Sequence, residues 1–124
     1  MITGFAQIQP GLRDGQYMEL VQLAKEDDHG VYLPTHPVVK DGKLVGYFSI
    51  GSPGHPVVMA WLSTKELKAR ESFHLINTVE NHVALGGGKG ICFPVPEKSP
   101  FHPMMKPMGY IYGGTYDFFV KELR

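Results

Sequence analysis

Residues 57–62 form a nearly continuous apolar run that follows a proline and ends at a serine. The run is too short to span a membrane, and its β-branched and aromatic side chains favour a strand buried on both faces. Ser63 and Glu66 follow at the spacing of a capping box, in which both side chains bind backbone N–H groups at a helix start. The pattern predicts a central strand followed directly by a helix that starts at Ser63.

Apolar residues recur at helical spacing through this predicted helix, with charged and amide side chains between them. Glycines at 86–88 end the helix, because glycine adopts the left-handed conformation of a helix C-terminus without steric cost. Residues 91–93 then predict a strand parallel to the first, which gives a right-handed crossover. The apolar stripe consists of Ala69, Phe73, Ile76, Val79 and Val83.

The N-terminal half predicts a strand, a helix and an antiparallel meander. Residues 5–8 alternate between apolar and polar, as in a half-buried strand. Asp14 is placed to cap a helix that extends to about residue 25. Residues 41–42, Asp-Gly, separate two strand-like runs, which is the strongest local signal for a tight hairpin. With the strand at 57–62, the hairpin predicts a meander of about three or four strands.

Residues 94–107 are rich in proline, which limits the strands and helices that this part of the chain can form. Pro94 and Pro96 have no backbone N–H, so the strand at 91–93 must lose a neighbour over its second half. A short helix is predicted from Pro100, and residues 109–112 and 116–121 predict a closing hairpin. Together these elements predict an α+β fold of three layers. Its sheet is mixed and mostly antiparallel, has about six or seven strands with a central splay, and is flanked by about three helices.

Composition limits the class of protein. The 124 residues, 43% of them hydrophobic, fit one domain over 1–124. The net charge is zero, which argues against a nucleic-acid or an anionic membrane partner. The sequence shows neither a signal peptide nor a run of the about 18 apolar residues that a membrane span needs. We therefore expect a soluble cytoplasmic protein, with the single cysteine, Cys92, as a small buried residue.

The predicted order of elements resembles the GNAT family of N-acetyltransferases over nearly the whole chain. Residues 41–46, DGKLVG, are similar to that family's D-G-x-x-V-G hairpin before the central strand. Residues 109–110, Gly-Tyr, are similar to its G-F/Y step into the closing hairpin. The opening at Pro94 lies where the family's sheet splays to admit the pantetheine arm of coenzyme A. The resemblance implies a GNAT-like fold and transfer of an acetyl group from acetyl-CoA to an amine of a small molecule or peptide.

The same resemblance places the cofactor between the central strand and the strand that contains Cys92, with its phosphates at the start of the following helix. The family's glycine-rich R/Q-x-x-G-x-G/A loop is absent from residues 66–72, which contain two carboxylates instead. The residues that the resemblance implies as cofactor contacts are Ala60, Trp61, Leu62, Ser63, Lys68, Ala69, Arg70 and Ser72.

Three residues are the candidates for proton transfer. His55 precedes the central strand and is the candidate base for the amine, with a water-linked acidic residue as the alternative. Tyr110 or Tyr112 is the candidate acid for the thiolate, since Met105 occupies the position where the family often has a tyrosine. The six histidines lack metal-ligand spacing, so we expect no metal site. The acidic cluster at 26–28 is either a solvated loop or a site for a cationic substrate.

A second hypothesis comes from another class of protein. Without the glycine loop, the chain also resembles the acetyltransferase-like proteins that some tailed phages encode. This resemblance implies a non-catalytic protein with a structural or partner-binding role. The two hypotheses differ at residues 64–72. A continuous helix with Glu66 facing the groove excludes the cofactor, whereas a non-helical loop whose N–H groups point into a splayed sheet favours it. The oligomeric state stays open, with a homodimer among the alternatives.

Overall fold

The structure, a computed structural model, describes residues 5–29, 33–51 and 56–115 together with 117, 119, 121 and 123. Four strands form one antiparallel sheet in the order β1-β2-β3-β4. The strands are β1 (Gln7–Ile8), β2 (His36–Lys40), β3 (Lys43–Ile50) and β4 (Val58–Leu62). The helices are α1 (Gln16–Glu26) and α2 (Ala69–Leu85), followed by a short 3-10 turn (His102–Met104).

This architecture corrects the predicted fold class. In its described part the protein has a four-stranded open antiparallel sheet and two α-helices, not six or seven strands with three helices. The strand predicted at 91–93 is reduced to one parallel bridge between Val57 and Cys92. The predicted third helix is only the 3-10 turn, and residues 109–115 contain no strand. Residues 116, 118 and 120 of the predicted closing hairpin lie outside the described residues.

The hairpin predicted at Asp41 and Gly42 is confirmed. Both residues have positive φ angles, 52° and 75°, as a two-residue type I′ turn requires. The turn joins β2 directly to β3, and these two strands form the centre of the sheet.

A β-bulge in β3 decides which side chains face each side of the sheet. Val38 pairs with Gly46, whereas Val39 pairs with Leu44, so Val45 is an extra residue in β3. The regular alternation of side chains is therefore shifted by one position at Val45.

Two buried clusters cover opposite faces of the sheet. Helix α1 packs Leu20 and Ala24 into a cluster with Trp61. Helix α2 packs Val79 into a second cluster with Leu62. Because successive side chains of a strand point to opposite faces, α1 and α2 lie on opposite sides of β4.

Helix α2 begins at Ala69, not at Ser63 as predicted. Residues 64–66 form a turn and residues 67–68 lead from it into the helix. The Glu71 carboxylate accepts a hydrogen bond from the Lys68 N–H at 3.0 Å. The capping role predicted for Glu66 therefore belongs to Glu71. The buried face also differs from the predicted stripe, because Ala69 is exposed and Phe73 is only half-buried. It consists of Ser72, Leu75, Ile76, Val79 and Val83.

Gly46 lies where β3 and β4 approach each other closely. A Cβ atom at this position would be 2.5 Å from the Trp61 carbonyl oxygen and 3.1 Å from the Leu62 Cα. Since these are backbone atoms of the paired strand, we expect Gly46→Ala to lower the free energy of unfolding by about 1–3 kcal/mol in urea denaturation. The matched control is Gly90→Ala, because a Cβ atom at Gly90 meets nothing within 4 Å. Equal losses in the two variants would contradict the close approach.

His36 makes the stability of the fold depend on pH. Burial, and secondarily the charge of His82, lower the pKa of His36 below its ordinary value of 6.5. The unfolded chain therefore binds a proton at His36 more readily than the folded protein does. The stability that neutral His36 contributes is complete above pH 6.5 and is lost as the pH falls through the lowered pKa.

We expect the free energy of unfolding to fall between about pH 7 and about pH 5 because of His36. His36→Gln should reduce that fall in urea titrations, whereas His74→Gln, at an exposed position of α2, should not; equal pH slopes in both variants would contradict it.

Candidate functional site

A cavity opens where β4 loses its second neighbour. Along one edge β4 pairs with β3 over its whole length. On the other edge, within the described chain, the pairing is confined to its start, where Val58 donates to the Cys92 carbonyl at 3.0 Å and Cys92 donates to the Pro56 carbonyl at 2.5 Å. Residues 93–96 then diverge from β4, since two of them are prolines without an N–H. The gap between them and β4 is a cavity of about 190 Å³.

The cavity extends past the edge of the sheet from one face to the other. Ala60 and Leu62 of β4 line it together with Ile76 of α2, while Asp27 and His29 line it at the C-terminal end of α1. Residues 93–96, 99–101, Thr64 and Met105 complete the lining.

The register of β4 directs the backbone N–H and C=O groups of two of its residues towards this cavity. Ser63 donates its N–H to the Val45 carbonyl at 2.9 Å, which places Ser63 in a hydrogen-bonded pair with β3. Because paired and unpaired orientations alternate along an antiparallel strand, Ala60 and Leu62 present their N–H and C=O groups to the other edge. Val58 has the same orientation and bonds across the closed end of the gap. No described residue pairs with the Ala60 and Leu62 groups on that edge.

Asp27 connects the end of α1 to β4. One of its carboxylate oxygens accepts a hydrogen bond from the Trp61 indole N–H at 2.9 Å. Trp61 itself is buried against α1, on the opposite side of β4 from Leu62. The bond holds Asp27 beside the strand whose edge lines the cavity.

Only two of the eight predicted cofactor contacts line the cavity, namely Ala60 and Leu62. Three of the others, Trp61, Ser63 and Ser72, are buried. The remaining three, Lys68, Ala69 and Arg70, are exposed at the start of α2. The structure therefore brings Ala60 and Leu62 to the cavity and leaves Lys68 and Arg70 at the start of α2.

The two carboxylates near the start of α2 are paired with lysines of the β2–β3 hairpin. Glu66 binds Lys43 at 2.7 Å and Glu71 binds Lys40 at 2.9 Å. The hydrogen bond from the Lys68 N–H, followed by the one from Lys40, lowers the pKa of Glu71. The negative charge that the sequence places here is therefore compensated from a neighbouring element.

The described candidates for proton transfer lie away from the cavity. The Tyr110 hydroxyl donates to the Glu80 carboxylate at 2.5 Å. The Tyr110 ring does not line the cavity itself but packs edge-on against Phe93, which does, with the ring centroids 6.1 Å apart. Tyr112 is 76% exposed, and His55 lies outside the described residues.

His29 is a cavity residue that sequence reasoning missed. Asp27 belongs to the acidic cluster that the sequence left open between a solvated loop and a site for a cationic substrate, but no sequence signal indicated that the end of α1 lies at the same cavity as β4. Cys92, predicted to be buried, is exposed, because its strand ends at a single bridge. The described residues contain no group of three or more His, Cys, Asp or Glu side chains that could hold a metal ion. None of the described helices has the length and hydrophobicity needed to cross a membrane.

The chain matches no family model, and no curated protein is significantly similar to it. Function is therefore inferred from the geometry and chemistry of the cavity.

The hydrogen bond between Tyr110 and Glu80 can be tested by titration of the tyrosine. Burial, and secondarily the Glu80 carboxylate, raise the pKa of Tyr110. We expect Glu80→Gln to lower that pKa, because the substitution removes the negative charge beside the phenol. The measurement is tyrosinate absorbance during alkaline titration, with Tyr110→Phe subtracted to isolate this group. An unchanged titration of Tyr110 in Glu80→Gln would contradict the hydrogen bond.

Proposed function

We propose that the protein binds the pantetheine arm of acetyl-CoA in the cavity beside β4 and transfers the acetyl group to an amine. The observation that carries this proposal is the open edge at Ala60 and Leu62, whose N–H and C=O groups face the cavity. The pantetheine arm is thin and extended and carries amide groups along its length. Such a chain pairs with an open strand edge as an additional strand would.

The start of α2 supports the position of the phosphates. Residues 64–68 are not helical and begin with a turn at 64–66, and Thr64 in this turn lines the cavity. The turn therefore leads from the cavity to the positive end of α2, where backbone N–H groups and the helix dipole favour an anion. Lys68 and Arg70 are exposed there, and the nearby carboxylates are already paired with lysines.

The reaction that fits this arrangement is direct transfer. The amine nitrogen bonds to the thioester carbonyl carbon, the C–S bond breaks, and the sulfur leaves as a thiolate that takes up a proton. The acceptor is an amine of a small molecule or of a peptide.

A second candidate function, that of a non-catalytic binding protein, is favoured by the position of the tyrosines. Tyr110 is bound to Glu80 outside the cavity, and Tyr112 is exposed. A protein of this kind would use the cavity or its surface for a partner and would not transfer an acyl group.

Acetyl-CoA binding separates the two candidates. Acetyl-CoA at about 100 times its Kd should stabilise the protein by about 2.7 kcal/mol, measured as a rise in Tm. Ala60→Leu should abolish the rise, because the larger side chain occupies the cavity. Met59→Leu, a substitution of similar volume in the cluster on the α1 face, should preserve it.

Two results would count against cofactor binding in this cavity. No rise in Tm for the wild-type protein at about millimolar acetyl-CoA would contradict the cofactor and favour the binding protein. An equal rise in Ala60→Leu and in the wild type would place the cofactor outside the cavity.

A further inference from the structure

We infer that His29 is the base that takes the proton from the attacking amine, and that the amine is recognised as a cation beside Asp27. This inference rests on the proposed acyl transfer and assigns its acceptor side. His29 and Asp27 are the only titratable groups among the described residues that line the cavity.

The cofactor arm and these two residues occupy different sides of the same cavity. The open edge at Ala60 and Leu62 belongs to the strand, whereas His29 and Asp27 belong to the end of α1. An amine that attacks a thioester lying along β4 must enter from a side that the arm does not occupy. The end of α1 supplies such a side within the same cavity.

The turn that ends α1 fixes the backbone of His29. Asp28 adopts a left-handed conformation, with a φ of 53°, and its N–H donates to the Lys25 carbonyl at 3.0 Å. The next N–H, that of His29, donates to the Ala24 carbonyl at 2.9 Å. These paired bonds are those of a Schellman motif, which closes a helix and redirects the chain. The redirected chain brings His29 to the cavity wall.

Asp27 acts as a positioning residue for a cation. Its hydrogen bond from Trp61 holds the carboxylate beside β4, and it caps the C-terminal end of α1, where the helix dipole is negative. Primary amines are protonated near neutral pH, so carboxylate and dipole both favour the form in which the substrate arrives.

The proton balance of the reaction then closes with His29. The ammonium group beside Asp27 gives one proton to the neutral imidazole of His29 and becomes a nucleophilic amine. Its nitrogen bonds to the thioester carbon, the C–S bond breaks, and the thiolate accepts the proton that the nitrogen loses on forming the amide. The imidazolium of His29 returns its proton to solvent.

The test uses the full chain with acetyl-CoA and ethylamine, a minimal primary amine, and follows release of free thiol. We expect His29→Gln to lower kcat by about 100-fold or more, with the KM for acetyl-CoA and the acetyl-CoA-induced rise in Tm unchanged. His74→Gln, at an exposed position of α2, is the matched control and should leave the rate unchanged.

The outcomes distinguish a failure of the role assigned to His29 from a failure of the proposed function. A wild-type rate in His29→Gln contradicts the role of His29, and so does a wild-type protein that acetyl-CoA stabilises but that releases no thiol with ethylamine. Absence of stabilisation by acetyl-CoA contradicts the proposed function itself. If His29→Gln lowers the Tm without ligand, His29→Asn replaces it under the same criteria.

Discussion

The lack of backbone donors at Pro94 and Pro96 is the constraint on which the rest of the structure depends. A parallel strand beside β4 would require N–H groups at these positions, and its ladder stops at the bridge between Val57 and Cys92. One edge of β4 is consequently left open over Ala60 and Leu62. The small size of the sheet and the position of the cavity follow from this interruption.

Opposite charges on neighbouring elements hold the region beside the cavity in place. Lys40 and Lys43 come from both sides of the β2–β3 turn and reach Glu71 and Glu66. The tight turn is thus more than a connection between strands. It supplies the cations that compensate the carboxylates before and at the start of α2, and so determines the charge that a ligand would meet there.

Local signals in the sequence predicted local structure well. The Asp41–Gly42 turn and the glycine end of α2 depend on residues close in the chain, and both are present.

The start of α2 was mispredicted because the N–H of Ser63 pairs with Val45 of β3, and this tertiary bond competes with the local cap. Residues 109–112 have strand propensity but pair with no strand in the described part of the chain. A strand also needs a free edge of another strand to pair with, and propensity does not predict whether one is nearby. Asp27 and His29 reach the same cavity as β4 through the packing of α1, which no local pattern encodes.

The bond between Asp27 and Trp61 joins positions 34 residues apart in the chain. The β2–β3 hairpin, by contrast, closes through a two-residue turn, and loop closure over a short distance is fast. We therefore expect the central hairpin to form early in folding and the cavity to be assembled later, when α1, β4 and residues 93–96 come together. Since this region is held by contacts between residues that are distant in the chain, we also expect it to open before the hairpin in native-state fluctuations.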